Sequence, residues 1–373
     1  MTRSRRGLRS LSLGLCAAIA LMGVGSASGS VAPALAVAAD PEKVDAAVDR
    51  GLNFLASVQA EEGFFDGSYG RSAGVVSLCG MAFLAKGYSP RNGPYSDNLR
   101  KCIAYVLSIQ DKEGTFGLQG GADRRMYSHN ITTLFLSEVS GMVEPASQPR
   151  INAALAKAVA VILRAQQVAK ADVYKGGWRY EPGSTDSDLS CSGWALMALR
   201  SARLNGAAVS DAAIKDAVGY IMRNHKAETG EFGYQDGTTY ATSLTGAALL
   251  CLELTGHHGE QVTIKAGNYV VKVRADIGKS LFPDYGTYYA AQGTFQLGGR
   301  YWQTFSSWMY EYWLPLQKAD GSWAPVPGSW MAGQGAGDNS YVTAMVILSL
   351  TVPYRQLPIY QRDETVDEDD EKK

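Results

Sequence analysis

Acidic, aromatic and imidazole side chains collect at one kind of place in this chain: the few residues just before runs of apolar, helix-forming sequence. The candidates are Asp66 and Tyr69; Tyr127, His129 and Asn130; Asp186 and Asp188; Asp236 and Tyr240; Asp284, Tyr285, Tyr288 and Tyr289; Asp338, Asn339 and Tyr341. Carboxylates and an imidazole brought to one place can do general acid–base work or orient a ligand. Asp188, Asp186 and His129 are the candidate catalytic groups. Tyr127, Asp236, Tyr240, Tyr285, Tyr288, Arg300, Trp302 and Asp338 are the candidate ligand contacts. Tyr288-Tyr289 and Tyr301-Trp302, with Arg300 beside them, suit stacking against a sugar or a polyprenyl chain. Each also has a structural reading. Asp188, Asp236, Asp284 and Asp338 can simply cap helices, worth about 1 kcal/mol each. His129 can be a satisfied core histidine, and Trp178, Trp302, Trp308, Trp313, Trp323 and Trp330 can be turn and core packing. His225, His257 and His258 fall in outer connections.

The elements that must position these groups repeat. Tyr174 to Gly206 holds the plan: a Gly-aromatic turn at Gly176-Gly177-Trp178, a polar acid-bearing loop, then an apolar helix from Cys191 to Leu204 stopped by Asn205-Gly206. The turn recurs at Gln59 to Gly63-Phe64, Gln110 to Gly114-Thr-Phe116, Glu228 to Gly230-Glu-Phe232 and Gln317 to Gly321-Ser-Trp323. Between Gln167 and Gly177-Trp178 it takes a longer form. Glycine stops the preceding helix, and the aromatic packs back over its end. Apolar helices anchored at 80, 132, 193, 246, 293 and 344 are spaced by 52, 61, 53, 47 and 51 residues. That spacing predicts six helix pairs. One helix of each pair is amphipathic, beginning with Pro41 to Gln59, where Asp40 is a candidate cap. The other is apolar all round and must be covered on both sides. The last apolar helix, Asp338 to Thr351, carries no polar capping face such as an open solenoid needs. The prediction is an all-α fold, an (α/α)6 toroid over residues 40–361. Tyr354 to Tyr360 reads as an extended strap, and 362–373 as a charged disordered tail.

Composition bounds the rest. The chain has 373 residues, 46% hydrophobic and 19% charged, with a net charge of -1. This is globular composition and offers no basis for nucleic-acid binding. Residues 1–39 read as an export signal: Arg3, Arg5, Arg6 and Arg9, a short apolar run from Leu11 to Val24, and small-x-small cleavage sites at 34–38. The run is too short for a membrane span, so the mature chain is expected to have none and to be periplasmic or extracellular. Cys79, Cys102, Cys191 and Cys251 include no C-x-x-C pair and sit in apolar helical patterns, which favours buried thiols. No cofactor or metal is expected.

The Q-x3-G-x-(F/W) turns resemble the repeats of squalene and hopene cyclases. More broadly, the helix-pair ring resembles the α/α toroid of terpenoid cyclases and protein prenyltransferase β subunits. GGWRYEPG, SGWALMALRSARLNG, DNSYVTAMVILSL and LPIYQR are similar to a secreted, planctomycete-type branch of that superfamily named only for its repeats. The resemblance covers Val44 to Gln361. It implies a central cavity, but the catalytic signatures are not intact. Class II cyclases protonate an alkene from the central Asp of D-x-D-D. Aligned on Met197-Ala-Leu199, this chain has Asp188-Leu-Ser190-Cys191, with a hydroxyl in the donor position. The prenyltransferase zinc set is incomplete: Asp188 and Cys191 stand at the wrong spacing, and no His lies near Asp338 to Leu350. His258-Gly-Glu-Gln261 has His where a thioester needs Cys.

Three readings follow. One is an exported toroid holding a ligand in its central cavity. The second is an isoprenoid cyclase or prenyl-transfer type enzyme with Asp188 or Asp186 as acid. The third is a carbohydrate-active lyase or hydrolase using His129, a Tyr and Arg300. An isoprenoid cavity should be aromatic around a buried acid, and a glycan cleft polar and open. A scaffold should have its core filled.

Overall fold

The computed structural model describes residues 40–117, 125–235, 242–334 and 339–361. The expected export signal (1–39) and disordered tail (362–373), with Asp236, Tyr240 and Asp338, lie outside the described residues. The chain begins with α1 (Pro41–Val58), capped by the Asp40 side chain, which accepts from the Glu42 N–H at 3.1 Å. Eleven helices follow: α2 (Ala73–Ala85), α3 (Ser96–Ser108), α4 (Arg125–Val139), α5 (Gln148–Gln166), α6 (Leu189–Leu204), α7 (Asp211–Arg223), α8 (Leu244–Glu253), α9 (Gln261–Ile277), α10 (Pro283–Leu297), α11 (Gly299–Trp313) and α12 (Asn339–Leu350).

Even-numbered helices form the inner layer. All thirteen residues of α2 are buried, and α8 and α12 are buried almost throughout, as their unbroken apolar sequence requires. Each inner helix packs on the next, from α2 through α12, and α12 packs back on α2. The ring is therefore closed. Odd-numbered helices bury one face each and cover the outside, α1 lying against α12 as well as α2. This is an (α/α)6 toroid. Small residues let inner helices approach: a Cβ on Gly246 would meet the Ala290 backbone nitrogen at 2.7 Å.

The repeated turn is a clamp. Gln59 Nε2 donates to Gly63 O and to Asn98 O on α3, both at 3.2 Å. Gln110 does the same to Gly114 O and Ala154 O on α5, at 3.0 and 2.9 Å. Gln317 reaches Gly321 O and Ala47 O on α1, at 2.9 and 2.8 Å. In the third turn the clamping residue is Gln166, with Gly176 O and Ala213 O at 3.0 and 2.8 Å, rather than Gln167. Gln166 ends α5 and is buried, whereas Gln167 is exposed. The fourth turn has no Gln and instead closes as a small hairpin, β1 (His225–Lys226) against β2 (Glu231–Phe232). The fifth shrinks to 278–282. Gly176 shows why glycine recurs: φ is +85°, and a Cβ would lie 2.1 Å from Asp216 O on α7.

Four of the turn aromatics are also tied to the inner helix that follows. The N–H groups of Trp178, Phe232 and Trp323 donate to Ser192 Oγ, Thr245 Oγ1 and Thr343 Oγ1, at 3.0, 3.1 and 2.9 Å. In the second repeat the Phe116 N–H donates to His129 Nδ1 at 3.3 Å. Among the described residues Cys79, Cys102, Cys191 and Cys251 are buried thiols outside any disulfide. Residues 352–360 are two 3-10 turns rather than an extended strap, Pro353 and Pro358 fitting their first turns. They cover the ring end opposite the inner-helix N-termini. Glu138 Oε2 on α4 accepts from the Ile359 N–H at 2.9 Å, and Tyr360 Oη donates to Leu348 O at 3.0 Å.

Candidate functional site

The N-terminal turns of the inner helices and the loops entering them surround a central cavity of about 380 Å3. That is within the usual size of small-molecule sites. Nine aromatic residues line it: Tyr69, Tyr127, Tyr180, Trp194, Tyr234, Phe282, Tyr285, Trp330 and Tyr341. Val75, Leu78, Ile131 and Leu244 add aliphatic wall, and Ser72, Ser128, Ser190 and Ser243 add hydroxyls. No charged side chain lines it among the described residues. The rim is apolar: Leu281, Phe282 and Trp330 are exposed, and the Trp330 N–H donates to Leu281 O at 2.8 Å. Leu281 and Phe282 stand in the short fifth turn, which is too brief to fold back over them. Trp330 is therefore a rim residue, while Trp178, Trp313 and Trp323 are core.

One polar cluster backs this wall. Asp188 caps α6, fully buried, its Oδ1 accepting from the Cys191 N–H at 2.8 Å and from Ser190 Oγ at 2.5 Å. Tyr127 Oη lies 2.5 Å from Ser190 Oγ. Because Ser190 gives its proton to the carboxylate, Tyr127 must donate to Ser190. Arg179 Nε lies 3.6 Å from Asp188 Oδ2, and its Nη1 lies 3.5 Å from Asp186 Oδ2. Arg179 also lies over the Tyr180 ring at 4.5 Å. Burial pushes the Asp188 carboxyl upward, against the hydrogen bonds from Ser190 and Cys191 and the charge of Arg179. Asp186 is half-exposed and accepts from Gln235 Nε2 at 2.9 Å. The Tyr180 and Tyr234 hydroxyls bond to each other across the mouth. On the other side Asp284, buried on α10, is pushed up to about 6 by burial against a hydrogen bond from Tyr341, and its Oδ2 has no hydrogen-bond partner among the described residues.

The sequence candidates separate by position. Tyr127 and Tyr285 line the cavity. Asp188 stands one hydrogen bond behind it, through Ser190, and Asp186 lies at its edge. Tyr288 is a step further back, stacked on Trp194 at 5.3 Å. His129 is outside the wall. Its Nδ1 accepts from Phe116, its Nε2 lies 3.0 Å from Ala158 O, and burial pulls it down to about 4. Both ring nitrogens are engaged in the place where other repeats carry Ser or Thr, so the reading of a satisfied core histidine describes it. Arg300 and Trp302 follow α10 instead of preceding it. They stand at the far end of the ring, about 22 Å along that helix. There Arg300 donates to Asn268 Oδ1 at 2.7 Å and Trp302 packs on Phe295. Tyr180, Tyr234 and Trp194 line the cavity without being among the sequence candidates. A repeat signal marks the first two: Tyr180 follows Trp178 by two residues, and Tyr234 follows Phe232 by two. Among the described residues no three His, Cys, Asp or Glu side chains come together to hold a metal, and no helix is long and apolar enough to cross a membrane.

No protein-family profile and no curated protein matches the chain. Solved structures do. An inactive variant of an α-1,6-mannanase from a Salegentibacter species, in complex with α-1,6-mannotriose, superposes with TM-score 0.61 at 10% identity, over 83% of this chain and 99% of that one. A family 76 glycoside hydrolase from a bovine Bacteroides thetaiotaomicron strain gives 0.59 at 8% identity, over 83% and 77%. A type II terpene cyclase variant from Scytonema, with geranylgeranyl dihydroxybenzoate bound, gives 0.51 at 14% identity, over 85% and 98%. At these identities the likeness is one of fold. Of these neighbours, the mannanase variant holds a mannotriose and the cyclase variant a geranylgeranyl-bearing substrate.

Proposed function

We propose that this toroid binds an apolar, unsaturated chain of the isoprenoid type in its central cavity. The observation that carries the reading is the wall itself: nine aromatic and four aliphatic side chains, with no charged group among the described residues lining it. Such a surface gains from burying hydrocarbon, about 25 cal/mol per Å2. A glycan site wants carboxylates and amides in reach of many hydroxyls, and here the buried acids nearest the cavity, Asp188 and Asp284, are not among its lining residues. The mannanase variants that are inactive replace two successive aspartates. In this chain successive aspartates occur only at Asp369-Asp370. The cyclase reading lacks its proton donor, since Ser190 stands in that position, so the proposal is binding rather than cyclisation. The leader sequence supports binding outside the cytoplasm.

Trp194 and Trp330 report on the cavity. Titrating the purified protein with farnesol should change tryptophan fluorescence saturably, while α-1,6-mannotriose should not. Native mass spectrometry of the same protein should retain a prenyl adduct. A saturable response to mannotriose and none to farnesol would replace this reading with the glycan one.

A further inference from the structure

The polar atoms of the cavity wall are not spread evenly. Along three inner helices a polar or small residue near the mouth is followed, one turn deeper, by an apolar one: Gly74 then Leu78, Tyr127 then Ile131, Ser190 then Trp194. One turn is about 6 Å, so the wall changes character within that depth. The deep wall offers hydrocarbon and an indole ring; the outer wall offers hydroxyls. A ligand matching both has one polar end held near the mouth and an apolar tail pointing inward.

The hydrogen-bond chain at the mouth fixes what that polar end can be. Asp188 accepts from Ser190, and Ser190 accepts from Tyr127. Every hydroxyl proton in the chain therefore points toward the carboxylate. A serine oxygen has two lone pairs, and a tyrosine oxygen that donates its proton keeps its acceptor capacity. The two oxygens of this chain, Ser190 Oγ and Tyr127 Oη, are thus left as acceptors. The surrounding charge points the same way. The Arg179 guanidinium is engaged with both Asp186 and Asp188, and the Lys170 ammonium also interacts with Asp186, so these cations are already matched by carboxylates. No Lys, Arg or His lines the cavity among the described residues. A diphosphate would bring more negative charge and only acceptors to this acid-backed part of the wall, where Ser190 and Tyr127 have no proton to give it.

Resting on the apolar-chain reading, we propose that the bound molecule ends in a neutral hydroxyl, donated to Ser190 and Tyr127, and that prenyl diphosphates are rejected. Ser190 and Tyr127 are then the head-group contacts. Asp188 is a positioning residue that sets the direction of their protons.

The test is a fluorescence titration of wild type, Ser190→Ala and Tyr127→Phe with three probes: farnesol, farnesene and farnesyl diphosphate. Wild type should bind farnesol about tenfold more tightly than farnesene, the size of one hydrogen bond, and the diphosphate more weakly than farnesol. Each variant should bring farnesol to within a fewfold of farnesene by weakening farnesol far more than farnesene. Diphosphate binding as tight as farnesol, or unchanged farnesol affinity in both variants, overturns the proposal. If farnesene binds as tightly as farnesol to wild type, the apolar cavity stands and the hydroxyl site is lost. If none of the three binds, the apolar-chain reading fails and takes this inference with it. Tyr127→Phe keeps the Ser190–Asp188 cap intact, so the question survives a Ser190→Ala variant that does not fold.

Discussion

Gln317 and Ala47 are 270 residues apart, and the Gln317 side-chain amide donates to the Ala47 carbonyl at 2.8 Å. The last turn of the toroid is thereby fastened to its first helix by the bond that joins α1 to α3, α3 to α5 and α5 to α7. Closing the ring uses the same device as propagating it.

Replacing Gln317 by Ala should leave the Ala47 and Gly321 carbonyls without their shared donor. Each partly buried, unmet carbonyl costs on the order of 1 kcal/mol. Urea denaturation should show a loss of about 1–2 kcal/mol, matched by Gln110→Ala at an internal junction. A loss confined to the internal junction would mean that the closing contact contributes nothing.

Two glycines separate backbone strain from steric conflict. Gly141 has φ +82° with open space around its missing Cβ, whereas Gly176 has φ +85° and the Asp216 carbonyl 2.1 Å from it. Gly141→Ala should cost about 1 kcal/mol for the left-handed backbone alone. Gly176→Ala must also push α7 away, and should lower Tm several times as far. Equal melting shifts in the two variants would deny that the third turn packs on α7 as tightly as described.

His129 gives a pH dependence with a definite sign. Its native pKa is pulled down from 6.5 to about 4 by burial. Between those values the unfolded chain takes up a proton that the native state refuses. Stability should be fully present above pH 6.5 and fall as pH drops toward 4, by on the order of 3 kcal/mol. Ser and Thr fill the equivalent place in other repeats, so His129→Thr keeps an acceptor for Phe116. Thermal melts of that variant should fall less steeply than wild type over this window, with ligand binding unchanged.

Glu138 should act in the opposite sense. Burial pushes its carboxyl up to about 7, against the hydrogen bonds from Ser201 and Ile359. The native state then holds a proton between about 4.5 and 7 that the unfolded chain releases. Its contribution is present at low pH and is lost as pH rises through 7, again on the order of 3 kcal/mol. Glu138→Gln should flatten that decline. An unchanged slope would show that the carboxyl is already ionised beneath the C-terminal turns.

Much of the fold is legible because the recurring signals are local. A glycine with positive φ and an aromatic mark five of the turns, a Gln joins them in four, and an all-round apolar helix can only be an inner one. The site is less legible, because periodicity says which helix a residue belongs to before it says which end. Arg300 and Trp302 illustrate this: they follow an inner helix, so they belong to the end away from the mouth. His129 sits at the mouth end of its helix, yet turns toward Phe116 and Ala158, and chain spacing carries no such direction. Ser190 was weighed for the acidity it lacks, whereas its place in the wall depends on Tyr127, 63 residues earlier.

The closed circuit of inner helices has a mechanical consequence. An open stack of helix pairs can fray from either end, losing one repeat at a time. A ring has no end to fray. Opening any one junction frees no repeat, because both flanking pairs stay held from their other sides. Loss of structure should therefore be concerted around the circle, and the cavity at its centre should keep its shape until the whole hoop gives way.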